Sequence, residues 1–251
     1  MRQHRGLIEG ARHAIAHPER ARRYVRRLRR DALLRLKHRG DHLGYYAEVV
    51  GADIRQGEAT AVGNHERAAW RKVGRKQFDY LRQHGLEPQH TMLEIGCGNL
   101  RAGWRFIDFL DAGHYYGVDI SPDVILAAQD TLVRKSQVEK LPYLTVVKDM
   151  SFAFLPAERF DWVHAHSVFS HCPLPVIEEC FANVARVMKS TGTFDFTFYR
   201  TEGKEFGRLR EDFYYRTETL VAAAARHGFN AVLMADWEGT HPQSKLRLTR
   251  H

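Results

Sequence analysis

Leu93-Glu94-Ile95-Gly96-Cys97-Gly98-Asn99-Leu100-Arg101 reads as a short apolar strand running into a glycine-containing turn, with a helix expected from about Ala102. Gly96 and Gly98 permit positive φ and let a ligand approach the backbone closely. Asp119 ends the next apolar strand, twenty-one residues after Gly98. An acid at that place can accept hydrogen bonds from both hydroxyls of a ribose. Turn and acid together point to a site for a nucleoside-containing cofactor.

Two kinds of cofactor fit such a turn. A dinucleotide fingerprint is G-x-G-x-x-G with a pyrophosphate at the helix N-terminus. Here its third glycine is replaced by Arg101, and Glu94 places an acid just before the first glycine. That charge disfavours a pyrophosphate and favours an ammonium or sulfonium group. S-adenosylmethionine carries both and has no phosphate, so it is preferred to a nicotinamide dinucleotide. A glycine turn that binds nothing is the plain structural alternative.

Outward from the turn, short apolar runs alternate with helical stretches. The expected strands are Met92–Ile95, Tyr115–Val118, Leu144–Val147, Phe160–His164, Gly192–Phe198, Ala231–Ala235 and Lys245–Leu248. Helices are expected between most of them, such as Pro175–Met188 and Glu218–Arg226. This alternation predicts a doubly wound α/β fold with a mostly parallel seven-stranded sheet. No helix separates the last two strands, so the terminal one is expected to be antiparallel. A further helix is expected over Glu66–His84, with Trp70, Phe78 and Leu81 on one face, Gly74 as an interruption and Gly85 as the stop.

The chain resembles the class I S-adenosylmethionine-dependent methyltransferases, whose first motif is an acid followed by G-x-G-x-G. Glu94, Gly96 and Gly98 match it, and Leu100 departs from it. The string LEIGCGNLRAG looks like a bacterial subgroup with an IGCG-x-L-R-x-G motif, followed there by strings like YYGVDIS and SVFSH, both present here. The resemblance covers about Trp70 to Leu248. It implies that Glu94, Gly96 and Gly98 surround the methionine part of the cofactor and that Asp119 binds the ribose. It further implies that Ile120 covers one face of the adenine, with Asp149 nearby. With Cys97 and Arg101 of the turn, these residues form the expected cofactor set. Cys97 is also read as a small packed side chain.

The acceptor side is read from His164-Ala165-His166-Ser167-Val168-Phe169-Ser170-His171-Cys172, which follows the fourth strand. Ligands of such sheets lie beyond the carboxyl ends of the strands. An imidazole titrates near neutrality, so His171 is a candidate base for a hydroxyl acceptor, and His241 is a second. Either histidine can equally pack beside the cofactor or orient a loop. The run holds no carboxylate to complete a metal site with His164, His166, His171 and Cys172, so no metal is expected. The string Asn or Asp, two Pro and an aromatic, common after the fourth strand of amino-methylating nucleic-acid enzymes, is absent. Cys172 precedes Pro173, whereas a nucleophilic cysteine for C5 chemistry usually follows one. The expected activity is therefore O-methylation of a small molecule, sugar or glycolipid. Methylation of RNA held by the basic arm is the alternative, and a cofactor-binding scaffold without turnover is a third.

The 251 residues carry a net charge of +8. Residues 1–40 hold twelve Arg and Lys37 against Glu9, Glu19 and Asp31, a net of +10, so the rest of the chain carries −2. Domain organisation follows: a basic helical arm over 1–40, a Gly- and polar-rich linker over 41–65, and the cofactor domain over 66–251. In the arm a helix is expected from Pro18 to about Lys37, stopping before Gly40. Its stripe is Ala21, Tyr24, Val25, Leu28, Ala32 and Leu36, with Arg22, Arg23, Arg26, Arg27 and Arg30 on the other side. Such a helix can dock on an anionic membrane or, less favoured here, on nucleic acid. It can also pack its stripe on the body or on a second subunit. Three cysteines without a spaced framework fit a reducing compartment. The apolar runs are too short for a transmembrane helix, and the N-terminus lacks an apolar signal core. The expectation is a cytoplasmic protein, with peripheral membrane association through residues 1–40 as an option.

Overall fold

The computed structural model describes residues 18–55, 67–208, 212–238 and 241–251. Three helices come first: α1 (Pro18–Lys37), α2 (His42–Arg55) and α3 (Arg67–Gln83). Then follow β1 (Met92–Ile95), α4 (Gly103–Phe109), β2 (Tyr115–Asp119), α5 (Pro122–Arg134), β3 (Tyr143–Val146), β4 (Phe160–Ala165) and α6 (Leu174–Val187). The chain ends with β5 (Met188–Arg200), β6 (Phe206–Arg208), β7 (Asp212–Tyr215), α7 (Thr217–Arg226), β8 (Phe229–Leu233) and β9 (Ser244–Arg250).

The sheet runs β3-β2-β1-β4-β5, all parallel, and β9 then pairs antiparallel with both β5 and β8. β1 lies at its centre, with Met92 beside Tyr115 of β2 on one side and Trp162 of β4 on the other. Strand order reverses between β1 and β4, so a crevice opens at their carboxyl ends. Both faces are covered, as the unbroken apolar runs require. One core gathers Leu93, Val163, Phe181, Phe194 and Phe196; the other gathers Leu81, Met92, Phe106 and Leu132. All seven expected strands are present, within a nine-stranded sheet.

Two expectations need correction. Residues 42–55 are not a linker: they form α2, which buries Leu43, Tyr45 and Val49 and packs on α5. Gly44 and Gly51 made this segment look like a loop. Its apolar positions nevertheless recur at helical spacing, and Asp41 Oδ1 accepts the Gly44 N–H at 2.9 Å as a cap. Residues 56–65 of the expected linker and residues 1–17 of the expected arm lie outside the described residues. The hairpin β6–β7 was also unforeseen. It continues the sheet at the far end of β5, where Tyr199 and Arg200 pair in parallel with Tyr214 and Tyr215.

The basic helix α1 spans Pro18–Lys37 and is tied to α2. Glu48 accepts hydrogen bonds from Lys37 and from the His38 ring at 2.7 Å, and the Arg35 guanidinium sits 5.7 Å from the centre of the Tyr45 ring. Of its apolar stripe, Val25, Ala32 and Leu36 are exposed and Leu28 is half-buried; Leu33 is exposed too.

Candidate active site

A cavity of about 750 Å³ opens at the crevice between β1 and β4, roofed by α2. That volume suits a nucleoside cofactor together with a small acceptor. Its floor is the turn after β1. Gly96 and Cys97 both donate to the Val118 carbonyl, at 2.8 and 3.0 Å, folding the turn back on β2. Gly96 has φ +67°, and a Cβ there would lie 2.4 Å from Val168 Cγ2. Gly98 has φ +58°. Leu100, the departure from the methyltransferase motif, keeps the left-handed backbone at φ +64° and is fully buried. The turn thus holds its shape without the third glycine, because the leucine side chain anchors it in the core beside Phe106. Gly74 is explained by the same turn: a Cβ on α3 would lie 2.0 Å from the Arg101 carbonyl.

Glu94 is buried and accepts a hydrogen bond from the Tyr115 hydroxyl. Burial pushes its pKa up to about 7, opposed by that bond and by Arg101. Asp119 accepts the Gly98 N–H on Oδ2 at 3.0 Å and the Ser121 N–H on Oδ1 at 3.1 Å. Each oxygen keeps a lone pair, so the carboxylate can still receive two hydroxyls. Ile120, Val147 and Met150 provide apolar wall beside it. Cys97 packs against β2, and burial raises its thiol pKa well above the ordinary range, which makes it an inert wall group.

The expected site residues Glu94, Gly96, Cys97, Gly98, Arg101, Asp119, Ile120, His171 and His241 all line this cavity. Asp149 does not. It is exposed, and its carboxylate caps its own turn by accepting the Ser151 N–H at 2.9 Å and the Ser151 hydroxyl at 2.5 Å. The neighbouring Met150 faces the cavity instead.

The two candidate bases sit in different surroundings. His171 Nδ1 lies 3.1 Å from Asp212 Oδ1, the Tyr46 ring stacks on it at 5.3 Å, and its carbonyl is bonded by His42 Nε2 at 2.7 Å. Asp212, Tyr46 and His42 come from the hairpin and from α2, the two elements not foreseen. His241 is half-buried, and its pKa falls to about 4 through burial and the nearby charges of Lys76, Arg101 and Lys245. Its Nδ1 accepts the Gln243 N–H at 3.1 Å. Neutral His241 therefore carries its hydrogen on Nε2 and has little tendency to take another.

The turn between β4 and His171 is held in a strained shape. Ser167 has φ +60°, with its N–H given to Thr197 Oγ1 at 2.8 Å and its hydroxyl to Gln243 Oε1 at 3.0 Å. A left-handed non-glycine residue fixed by two such bonds is a common feature of ligand-binding turns.

Residues 93–194 match the model of a family described as a methyltransferase domain. The fold is also that of magnesium protoporphyrin IX methyltransferase from Synechocystis PCC 6803, crystallised with SAM. The two chains are 14% identical at a TM-score of 0.64, over 84% of this chain and 98% of that one. The complex of DhpI with SAH is similar too, at a TM-score of 0.56 and 14% identity over 84% of this chain and 96% of that one. A phosphoethanolamine N-methyltransferase 2 from Haemonchus contortus gives 0.52 and 20%, over 64% of this chain and 39% of that one. Residues 93–194 thus match a methyltransferase domain, on a fold shared with proteins crystallised with S-adenosylmethionine. The cavity fits that cofactor on chemical grounds: an acid with spare lone pairs for a ribose, an apolar wall for a base, and buried Glu94 for a cationic group.

Proposed function

We propose that this methyltransferase acts on a hydroxyl of a small molecule, sugar or glycolipid, with His171 as the base. The observation that carries this is the pairing of His171 with Asp212 on the cavity wall, 3.1 Å apart. No hydrogen bond joins the two groups, so Asp212 acts as a negative charge beside Nδ1, and Nε2 is free to face an acceptor. The stacked Tyr46 ring keeps the imidazole in place. When bound, the cofactor supplies an electrophilic methyl on a sulfonium that departs as a neutral thioether. His171 takes the acceptor's proton as its oxygen bonds to that methyl. Glu94 holds the cationic end and Asp119 the ribose, while Gly96 and Gly98 let the ligand lie close to the backbone. α2 roofs the cavity and keeps water from competing.

A positioned base contributes roughly 10²–10⁴-fold, so His171→Ala is expected to lower turnover by about that factor with cofactor affinity unchanged. Asp212→Asn should lower kcat less, by removing the negative charge beside the ring. Full turnover in both variants would remove base catalysis from the proposal.

The arm supports a second element of this reading. α1 exposes Val25, Leu33 and Leu36 together with Arg22, Arg26 and Arg29. An exposed apolar and cationic helix suits an anionic membrane surface better than RNA, whose phosphates need only the charges. No described helix is long and apolar enough to cross a membrane.

A further inference from the structure

A group of nitrogen atoms without hydrogen-bond partners lies between α3, the end of β4 and the segment before β9. Gln77 is 1% exposed and lines the cavity; His164 engages its Oε1 at 3.2 Å, while its Nε2 has no partner. His166 is 6% exposed, also lines the cavity, and has no partner on either ring nitrogen. The His241 ring is 4.8 Å from it. Behind them, the ammonium groups of Lys76 and Lys245 each sit 4.5 Å from the centre of the Trp237 ring, and neither makes a hydrogen bond. Arg101 lines the same space.

The acids around this group are largely engaged. Asp195 lies 3.7 Å from Lys245 but is gripped by Arg247 at 2.7 and 2.8 Å. Asp236 accepts from Tyr80 at 2.9 Å and from His84 at 2.7 Å. Glu94 accepts from Tyr115. Glu238, beside Trp237, is the remaining acid. Buried donors without partners are rare in folded proteins, and one anionic ligand can satisfy several together. The same surplus of cations repels a metal ion.

We infer that this group is a binding subsite for an anionic substituent of the methyl acceptor, a carboxylate or a phosphate. Gln77, His166 and His241 donate to it, and Lys76 and Lys245 supply charge from behind. The inference rests on the cavity receiving an acceptor beside the cofactor. It adds a substrate class to that reading: the hydroxyl compound carries a negative charge.

The test uses the full-length protein saturated with S-adenosylhomocysteine. Inorganic phosphate and, separately, acetate are titrated in, with calorimetry and imidazole nitrogen NMR as readouts. At least one anion is expected to bind the loaded protein and to shift the His166 and His241 resonances. His241→Ala should weaken that anion by about tenfold, the value of one charge-assisted hydrogen bond; Lys76→Gln should weaken it by a smaller factor through loss of nearby charge; both should leave S-adenosylhomocysteine affinity unchanged. Unchanged cofactor affinity also shows that the variants are folded. A preference for phosphate or for acetate tells which kind of acceptor to seek. The inference is overturned if neither anion binds, if both variants bind as the parent does, or if the anion displaces S-adenosylhomocysteine. That last result would assign the group to the cofactor's own carboxylate. Failure of S-adenosylhomocysteine to bind at all would instead strike the cofactor assignment beneath it.

Discussion

Asp119 has two tasks at once, because its carboxylate organises the turn through Gly98 and Ser121 while still facing the cavity. Asp119→Ala is expected to weaken S-adenosylmethionine binding by about 1.5–3 kcal/mol for each charged hydrogen bond lost. An unchanged dissociation constant by calorimetry in a folded variant would take Asp119 out of the ribose site. Glu94 brings a pH dependence. Its pKa is about 7 in the folded protein, against an ordinary 4.5, because burial disfavours the charge. Between these values the folded state holds a proton that the unfolded chain has released. Stability should therefore fall as pH rises from about 4.5 to 7 and then level off, by about 3 kcal/mol in all. Glu94→Gln should flatten that slope in urea unfolding followed across this range. A cationic cofactor favours the ionised acid, so binding near pH 6 should release a proton, read from calorimetry in buffers of different ionisation heat.

At the scale of single elements, α2 and the hairpin β6–β7 turn a generic cofactor crevice into a particular site. α2 contributes Tyr46 and His42 to the surroundings of His171, and β7 contributes Asp212. Helix α1 stands apart from that work. Its exposed Val25, Leu33 and Leu36 and its arginines are expected to hold the protein on anionic liposomes, each Arg near the surface adding about 1 kcal/mol at low salt. Flotation with and without anionic lipid measures this. Equal recovery of the full chain and of a chain lacking residues 1–37 would give the helix another job.

Across the whole molecule, the antiparallel addition of β9 to β5 places Arg247 opposite Asp195. Asp195 and Lys245 are fully buried, and burial lowers the Lys245 pKa to about 8 despite the nearby carboxylate. Removing one member of such a network leaves charge uncompensated in the interior. Asp195→Asn is therefore expected to destabilise the fold by about 3–5 kcal/mol in chemical denaturation. A loss below about 1 kcal/mol, the range of exposed pairs, would show that the network is solvated in practice. The network joins the sheet's last strand to the wall of the proposed anion subsite, so its loss should reach that subsite before it reaches the turn at Gly96.

The alternation of apolar runs with helical stretches carried the seven core strands and the helices between them, because strand and helix periodicity are properties of neighbouring residues. The glycine turn and Asp119 were legible for the same reason: a local backbone need and an acid at the end of a strand mark themselves in a few positions. Leu100 was read as a departure, and it took packing against Phe106 to keep the turn's shape. Asp149 was assigned through resemblance, and its own turn claimed the carboxylate. The helix α2 hid behind two glycines whose cost is offset by burial of Leu43 and Val49 against the body. Asp212, Tyr46 and Gln77 reach the cavity from places far apart in the chain, and no spacing announces such a meeting. The sequence by itself determined the doubly wound fold and the cofactor turn, since both are written in short-range pattern. Which histidine has a carboxylate partner, and which donors are left facing the cavity, were decided only by tertiary structure, because charge pairing and burial depend on which distant segments the folded sheet brings together.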